Sequence, residues 1–312
     1  MSELQRTQPQ GGPIAVLAAA ALWGTVGPAQ VLGSSSVSPV ALGSLRLLLG
    51  GVGLLLLVPL LHRGAPRRWS AIWQKPTVGW LIAAGVSTAV YQAAFLSSVT
   101  RTGAALATVV TLGAAPPVVG VLARVLGTER LSGVWIGATV AAVAGTALLL
   151  LPGASAGVDL AGVILGVLGG ACYGIYTVSA KKLLDSACPT FAAVGITLLL
   201  GGALLAPSLT GENPAAFTPA TLALIGWLGV PATTVAYLLF VAGLRHVTAT
   251  TAGTLSLAEP LVAVGLGLLV LGERFSALAA VGAAMLFTGL AAVAIPGARR
   301  KTMLTNATMD TA

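Results

Sequence analysis

Ten apolar runs of about twenty residues fill this chain and leave only short connections between them. They fall at 13–32, 39–61, 77–98, 103–123, 131–151, 158–180, 189–209, 218–243, 247–271 and 276–296. A helix rises about 1.5 Å per residue, so each run is long enough to cross the roughly 30 Å hydrocarbon core of a bilayer. Charged residues make up 8% of the 312 and apolar residues 56%, against about 25% charged in a soluble domain. No water-facing surface can be built from that inventory, so most of the surface has to meet lipid. The longest connection, 61–76, leaves no room for a soluble domain. The expected fold class is an all-α membrane protein with ten transmembrane helices.

The runs also repeat. Residues 126–153 read LGTERLSGVWIGATVAAVAGTALLLLPG, and 271–297 read LGERFSALAAVGAAMLFTGLAAVAIPG. Glu129 aligns with Glu273 at an offset of 144 (273 − 129), as do Ser132 with Ser276 and Gly145 with Gly289. Upstream the offset drifts: Gly79-Trp80-Leu81 matches Gly226-Trp227-Leu228, Tyr91 matches Tyr237, and Trp23-Gly24 matches Tyr173-Gly174. The chain therefore divides into a first five-helix repeat (1–153), a second (154–297) and a tail (298–312).

Five is odd, and that fixes the relation of the copies. With the N-terminus inside, the first copy ends outside and the second starts there. The repeat is inverted, a design in which two halves exchange conformations around a shared midplane site. The basic residues agree on the sides. Of the 16 Lys and Arg, only Arg101 and Arg274 fall on the outer face and Arg46 falls within a span. By the positive-inside rule both termini are cytoplasmic. The net charge of +8 thus reports topology, and no nucleic-acid partner is expected. The N-terminal segment lacks a cleavable signal pattern, so the first run is expected to stay in the membrane.

Arg46 and Glu259 are the main ionisable residues buried within predicted spans. A charge at that depth costs at least about 2.5–3.5 kcal/mol and needs a partner or water. One reading has Arg46 binding a substrate carboxylate and Glu259 coupling to a proton or an amine. The other is structural: Arg46 snorkels outward or bonds helix-end carbonyls, and Glu259 satisfies backbone freed by Pro260. Trp23, Tyr91, Tyr173, Tyr176 and Tyr237 carry polar edges at membrane depth. The repeat pairs Trp23 with Tyr173 and Tyr91 with Tyr237, so pseudo-symmetry would gather them at a central cavity. There they could stack a planar group or hold an ammonium. Interhelical packing is the alternative. Gln30 and Gln92 are candidate hydrogen-bond donors to substrate or to neighbouring helices. Pro116 and Pro260 are repeat mates and a candidate hinge pair, one per half. Gly162, Gly166, Gly170 and Gly174 make a close-packing stripe.

At this point a family resemblance emerges. Leu257-Ala258-Glu259-Pro260, followed by an apolar run and Leu271-Gly272-Glu273-Arg274-Phe275-Ser276, resembles the second-half signature of the EamA family of the drug/metabolite transporter superfamily. Trp23-Gly24 and Arg46-Leu47-Leu48 also resemble that family's pattern. The first copy departs from it with Ala114-Ala115-Pro116, which lacks the acidic residue. The resemblance implies a ten-helix carrier of small metabolites in a bacterial inner membrane, often an exporter of amino acids or drugs. Within the family the likeness is greatest to the aromatic amino acid exporters.

Other classes fit less well. An intramembrane enzyme needs His, Asp, Ser or metal clusters at depth, and His62 and His246 both fall at loop edges. Cys172 and Cys188 show no metal-ligand or disulfide pattern. No GxxxxGK[ST] phosphate loop occurs, so neither cofactor nor nucleotide hydrolysis is expected. A channel needs a continuous pore, commonly symmetric, whereas inverted copies favour a two-state carrier. The expected partners are a small-molecule substrate and the bilayer. Two copies in one chain already make a pseudo-dimer, so a monomer suffices.

Overall fold

The computed structural model describes residues 11–61, 69–151, 159–186, 188–270 and 276–295. His62, Arg63, Arg67, Arg68, Glu273, Arg274, both Pro-Gly ends and the tail lie outside that set. Long elements among the described residues are all helical: α1 (Gly11–Gly24), α2 (Val26–Gly33), α3 (Pro39–Leu61), α4 (Lys75–Val125), α5 (Gly133–Leu150), α6 (Leu160–Asp185), α7 (Thr190–Leu205), α8 (Pro219–Gly229), α9 (Ala236–Leu244), α10 (Ala249–Leu255), α11 (Glu259–Val270) and α12 (Ala277–Ala294).

Nine helical stretches among the described residues are long and apolar enough to cross a membrane, and one of them, α4, has 51 residues. A straight helix of that length would reach about 77 Å, more than twice the bilayer core. It is interrupted at Gly103, where φ is 81° and ψ 159°, a region open almost only to glycine. Gly169 of α6 lies against both Phe95 and Thr111. These stand eight residues before and eight after Gly103 (103 − 95 and 111 − 103). The helix therefore folds back on itself, and counted as two crossings it completes the expected ten.

Repeat mates run in opposite directions, as inversion requires. Along α3 and α7, Leu48 faces Gly202, Gly51 faces Leu199, and Leu55 faces Gly195. Along α5 and α12, Ala138 faces Gly289, Gly145 faces Leu286, and Leu149 faces Gly282. As one number rises the other falls. A methyl group on Gly145 would collide with the Leu286 backbone, and one on Gly289 would lie 2.6 Å from the Ala138 carbonyl. Glycine is thus what lets these helices cross at backbone contact. The serines that the repeat preserves are helix caps: Ser132 Oγ accepts from Trp135 N and Ser276 Oγ from Ala279 N, both at 3.1 Å. The glycine stripe of α6 faces α4. Gly162 meets Thr102, Gly166 meets Val110 and Ser98, and Gly174 meets Val118. The lipid-side surface is apolar, with Leu269 86% exposed and Leu56 72%.

The faces of the bundle separate cleanly. Gly12 at the start of α1 abuts His246 and Val247. Lys181 Nζ donates to the carbonyls of Leu244 (2.7 Å) and Val247 (3.0 Å). Glu129 takes hydrogen bonds from Ala249 N (2.6 Å), Thr250 N (3.2 Å) and Thr250 Oγ1 (2.6 Å), tying the first half to the start of α10. On the opposite face, Glu212 accepts from Ser38 N at 3.1 Å, and Arg101 pairs with Asp159 at 3.2 Å.

Candidate functional site

Three spans break where they meet at the centre, and each break has a proline within it or up to four residues beyond it. A proline lacks the N–H that would bond the carbonyl four residues back. Pro28 frees Gly24, and α1 ends there before α2 resumes. Pro231 lies in a π-helical turn, Val230–Val235, between α8 and α9. Thr233 Oγ1 donates to Leu228 O at 2.7 Å, and Thr234 Oγ1 to Gly229 O at 3.1 Å. Pro260 frees Ser256, and the tight turn Ser256–Ala258 separates α10 from α11. Interrupted helices at midplane are how transporters bring polar backbone and side chains to a substrate.

These breaks bring the predicted residues together. Arg46 and Glu259, both half-buried, line one cavity with Gln30, Tyr91, Gln92 and Phe95. Arg46 Nε donates to Thr233 Oγ1 at 3.3 Å, so the guanidinium points inward. Glu259 is the first residue of α11, where a helix dipole favours a carboxylate. Among the described residues, the only ion pair within bonding distance joins Arg101 and Asp159. Arg46 and Glu259 thus face one space without pairing directly. Gln92 is buried, and a side chain on Gly43 would collide with it. Gln30 makes a long bond of 3.4 Å to its own helix, at Val26 O.

All five predicted aromatics join one cluster beside this cavity. Trp23 lies 5.5 Å from Tyr237 and 6.4 Å from Tyr173, ring centre to ring centre. Tyr91 lies 5.9 Å from Tyr173, and Tyr176 lies 5.6 Å from Tyr237. Exchanging each residue for its repeat mate turns the Trp23–Tyr237 contact into the Tyr173–Tyr91 contact, so the cluster straddles the pseudo-two-fold axis. Tyr173 donates to Ser256 Oγ at 2.7 Å, while the buried hydroxyls of Tyr176, Thr111 and Ser179 have no hydrogen-bond partner. The proline mates differ: Pro116 is buried in an unbroken stretch of α4, and Pro260 is the second residue of α11.

Sequence reasoning missed Phe95, stacked on Tyr91 at 6.0 Å, and Phe240, 5.4 Å from Trp23. Each lies one helical turn after a named tyrosine (91 + 4, 237 + 3), and that spacing was the available signal. The Arg46 partner Thr233 had no such signal, because a π turn shifts the register.

The polar cavity measures about 60 Å³. That is room for a few waters and well short of the roughly 300–1,000 Å³ of small-molecule sites. A larger cavity of about 590 Å³ lies between α2, α8 and α11. Its polar groups, Thr25 Oγ1 and Trp227 Nε1, bond each other at 3.0 Å, so it is a lipid-side groove apart from the charged site.

Inverted helical halves around a closed, charged, aromatic-walled cavity define a membrane carrier of small molecules. The chain belongs to the EamA-like transporter family, whose pattern matches twice, at residues 10–151 and 160–295. It is 36% identical over 288 residues to the uncharacterized transporter YwfM of Bacillus subtilis (strain 168), covering 92% of this chain and 95% of that one. It is 27% identical over 296 residues to the uncharacterized inner membrane transporter YicL of Salmonella typhimurium (strain LT2), covering 93% and 97%. A crystal structure described only as that of a protein shares the fold, with a TM-score of 0.76 at 23% identity over 93% of this chain and 98% of that one.

Proposed function

We propose that this transporter exports amino acids, aromatic ones foremost, across a bacterial plasma membrane by alternating access. The observation that carries the reading is one cavity holding a cation, an anion and an aromatic wall. A zwitterion with an aromatic side chain complements all three: its carboxylate on Arg46, its ammonium on Glu259, its ring against Tyr91 and Phe95. Gln30 and Gln92 supply hydrogen bonds. Trp23, Tyr173, Tyr176 and Tyr237 close the path beyond, and Pro116 and Pro260 act as hinges. The face bearing Gly12, Lys181 and Arg245 is cytoplasmic, which the basic loops support, and a single chain is the working unit.

Counterflow into liposomes tests the substrate. Labelled phenylalanine should accumulate against a trans load of phenylalanine, tyrosine or tryptophan. Arg46→Gln removes a charge-assisted bond of about 1.5–3 kcal/mol, so half-saturation for the zwitterion should rise about 10- to 100-fold. The second reading, export of cationic drugs, rests on Glu259 and the aromatic wall alone. Exchange of a cationic drug without exchange of any aromatic amino acid, unaffected by Arg46→Gln, would establish it instead.

A further inference from the structure

The repeat locates a second half of the pathway that is now shut. Offsets of 150 over spans one and two, 147 at the start of span three and 146 from Tyr91 onward, and 144 over span four map one copy on the other. Contacts at the site obey these offsets. A methyl on Gly24 would meet Glu259 O at 2.7 Å and Val262 Cβ at 2.7 Å. One on the mate Gly174 would meet Ala115 O at 3.3 Å and Val118 Cβ at 3.0 Å. Ala115 and Val118 are the mates of Glu259 and Val262 (259 − 144, 262 − 144).

Applied to the cavity lining, the same map changes its chemistry. Gln30 becomes Ala180, Gly43 becomes Ala193, Arg46 becomes Ile196, Gln92 becomes Leu238 and Glu259 becomes Ala115. Gln30, Arg46, Gln92 and Glu259 are thus each replaced by an apolar residue, while Tyr91 keeps a tyrosine in Tyr237. Val26 alone goes the other way and becomes Tyr176. Tyr176, Ala180, Ala193 and Ala115 are buried, and Ile196 and Leu238 pack on the core. The Tyr176 hydroxyl, fully buried, has no partner. An unsatisfied hydroxyl inside a membrane protein is costly, and it lies where the map puts the lining of a path.

We propose that these residues line a second vestibule, opening to the α1-start face, which is apolar except for Tyr237 and Tyr176, and that the Tyr176 hydroxyl bonds water or substrate only when that vestibule opens. It rests on the alternating-access reading. Substrate charges are then held only by the outer half, and the inner half accepts an apolar body. The carrier is chemically asymmetric although its scaffold is not.

The test is thiol labelling of the full chain in membranes, in a Cys172→Ala/Cys188→Ala background. A membrane-impermeant methanethiosulfonate is added from each face in turn. Leu42→Cys, in the outer cavity, should react only from the outer face. Ala193→Cys and Leu238→Cys should react only from the α1-start face. Adding Tyr176→Phe should slow their labelling about fivefold, the worth of about one hydrogen bond to water, and leave Leu42→Cys unchanged. Labelling of Leu42→Cys with neither inner reporter reacting overturns the vestibule while leaving the outer site intact. Failure of all three to react overturns alternating access, and this inference with it. Unslowed inner labelling in Tyr176→Phe overturns the role of the hydroxyl.

Discussion

The tie between Glu129 and the start of α10 should set how often the α1-start face opens. Glu129 comes from the loop before α5 in the first half, and its oxygens take Ala249 N, Thr250 N and Thr250 Oγ1 in the second. Any opening between the halves on that face has to release these bonds. Glu129→Gln keeps one acceptor and sets an NH₂ against a donor at the other. One charge-assisted bond is lost, about 1.5–3 kcal/mol, together with a helix-start attraction of about 0.3–1 kcal/mol. Glu129 is half-buried, so solvent screening reduces the sum, and about 2 kcal/mol is a fair figure. That shifts the closed-to-open equilibrium about thirtyfold. The assay is the labelling rate of Ala193→Cys from the α1-start face, with and without Glu129→Gln. A rise of about thirtyfold, with slower labelling of Leu42→Cys from the other side, is expected. A lower melting temperature with unchanged labelling at both reporters would refute the reasoning, because Glu129 would then hold the fold together without governing its opening.

Gly145→Val should overpack the α5–α12 crossing, since its Cβ meets the Leu286 backbone. A loss of about 1–3 kcal/mol is expected in detergent unfolding, while Gly137→Val, where nothing lies within 4 Å, should lose far less. Asp159 accepts from Arg101 Nη1 at 3.2 Å and Ala161 N at 2.9 Å. The Arg101 bond foremost, with the helix-start amide, holds its carboxyl below the ordinary value. Its contribution is full above the ordinary carboxylate range and fades as pH falls through the lowered value, so melting of Asp159→Asn and wild type should converge only in acid. Pro116→Ala and Pro260→Ala should each slow counterflow more than they weaken binding. Unchanged rates in both would remove the hinge role.

Much of the architecture was legible because lipid restricts the options. Spans, their count and their inversion follow from apolar runs and an odd number of helices per copy. Even the fold-back in α4 was readable, since Gly103 begins a new run. The candidate site residues were legible as types, because Arg46 and Glu259 are costly enough at depth to need a partner or water. Their meeting was not. It depends on the first span of each half packing on the third span of the other, as in Trp23–Tyr237 and Tyr91–Tyr173, and no pattern within one span encodes that. Glu259 reads from sequence as mid-span. It is a helix start, because the turn at Ser256–Ala258 divides the span.

That division leads to a sharper view of the prolines. In each mate pair among spans one and six, three and eight, and four and nine, one member is broken and the other continuous. The broken members are one, eight and nine, which carry Gln30, Thr233 and Glu259. If inversion were complete, the other state would break six, three and four instead. The sequence permits this at one pair only. Pro28 maps to Val178 (28 + 150), and Pro231, in the π turn where the offset passes from 147 to 146, maps to Ala84 or Gly85, so those breaks have no proline in the mate to be handed across. Pro260 maps to Pro116 (260 − 144), which sits in helix with its N–H already missing. Only the four–nine pair carries in both copies the chemistry for a break that closes on one side as it opens on the other. Exchange of state should therefore concentrate there. Spans one and eight, by contrast, should keep their breaks in both states.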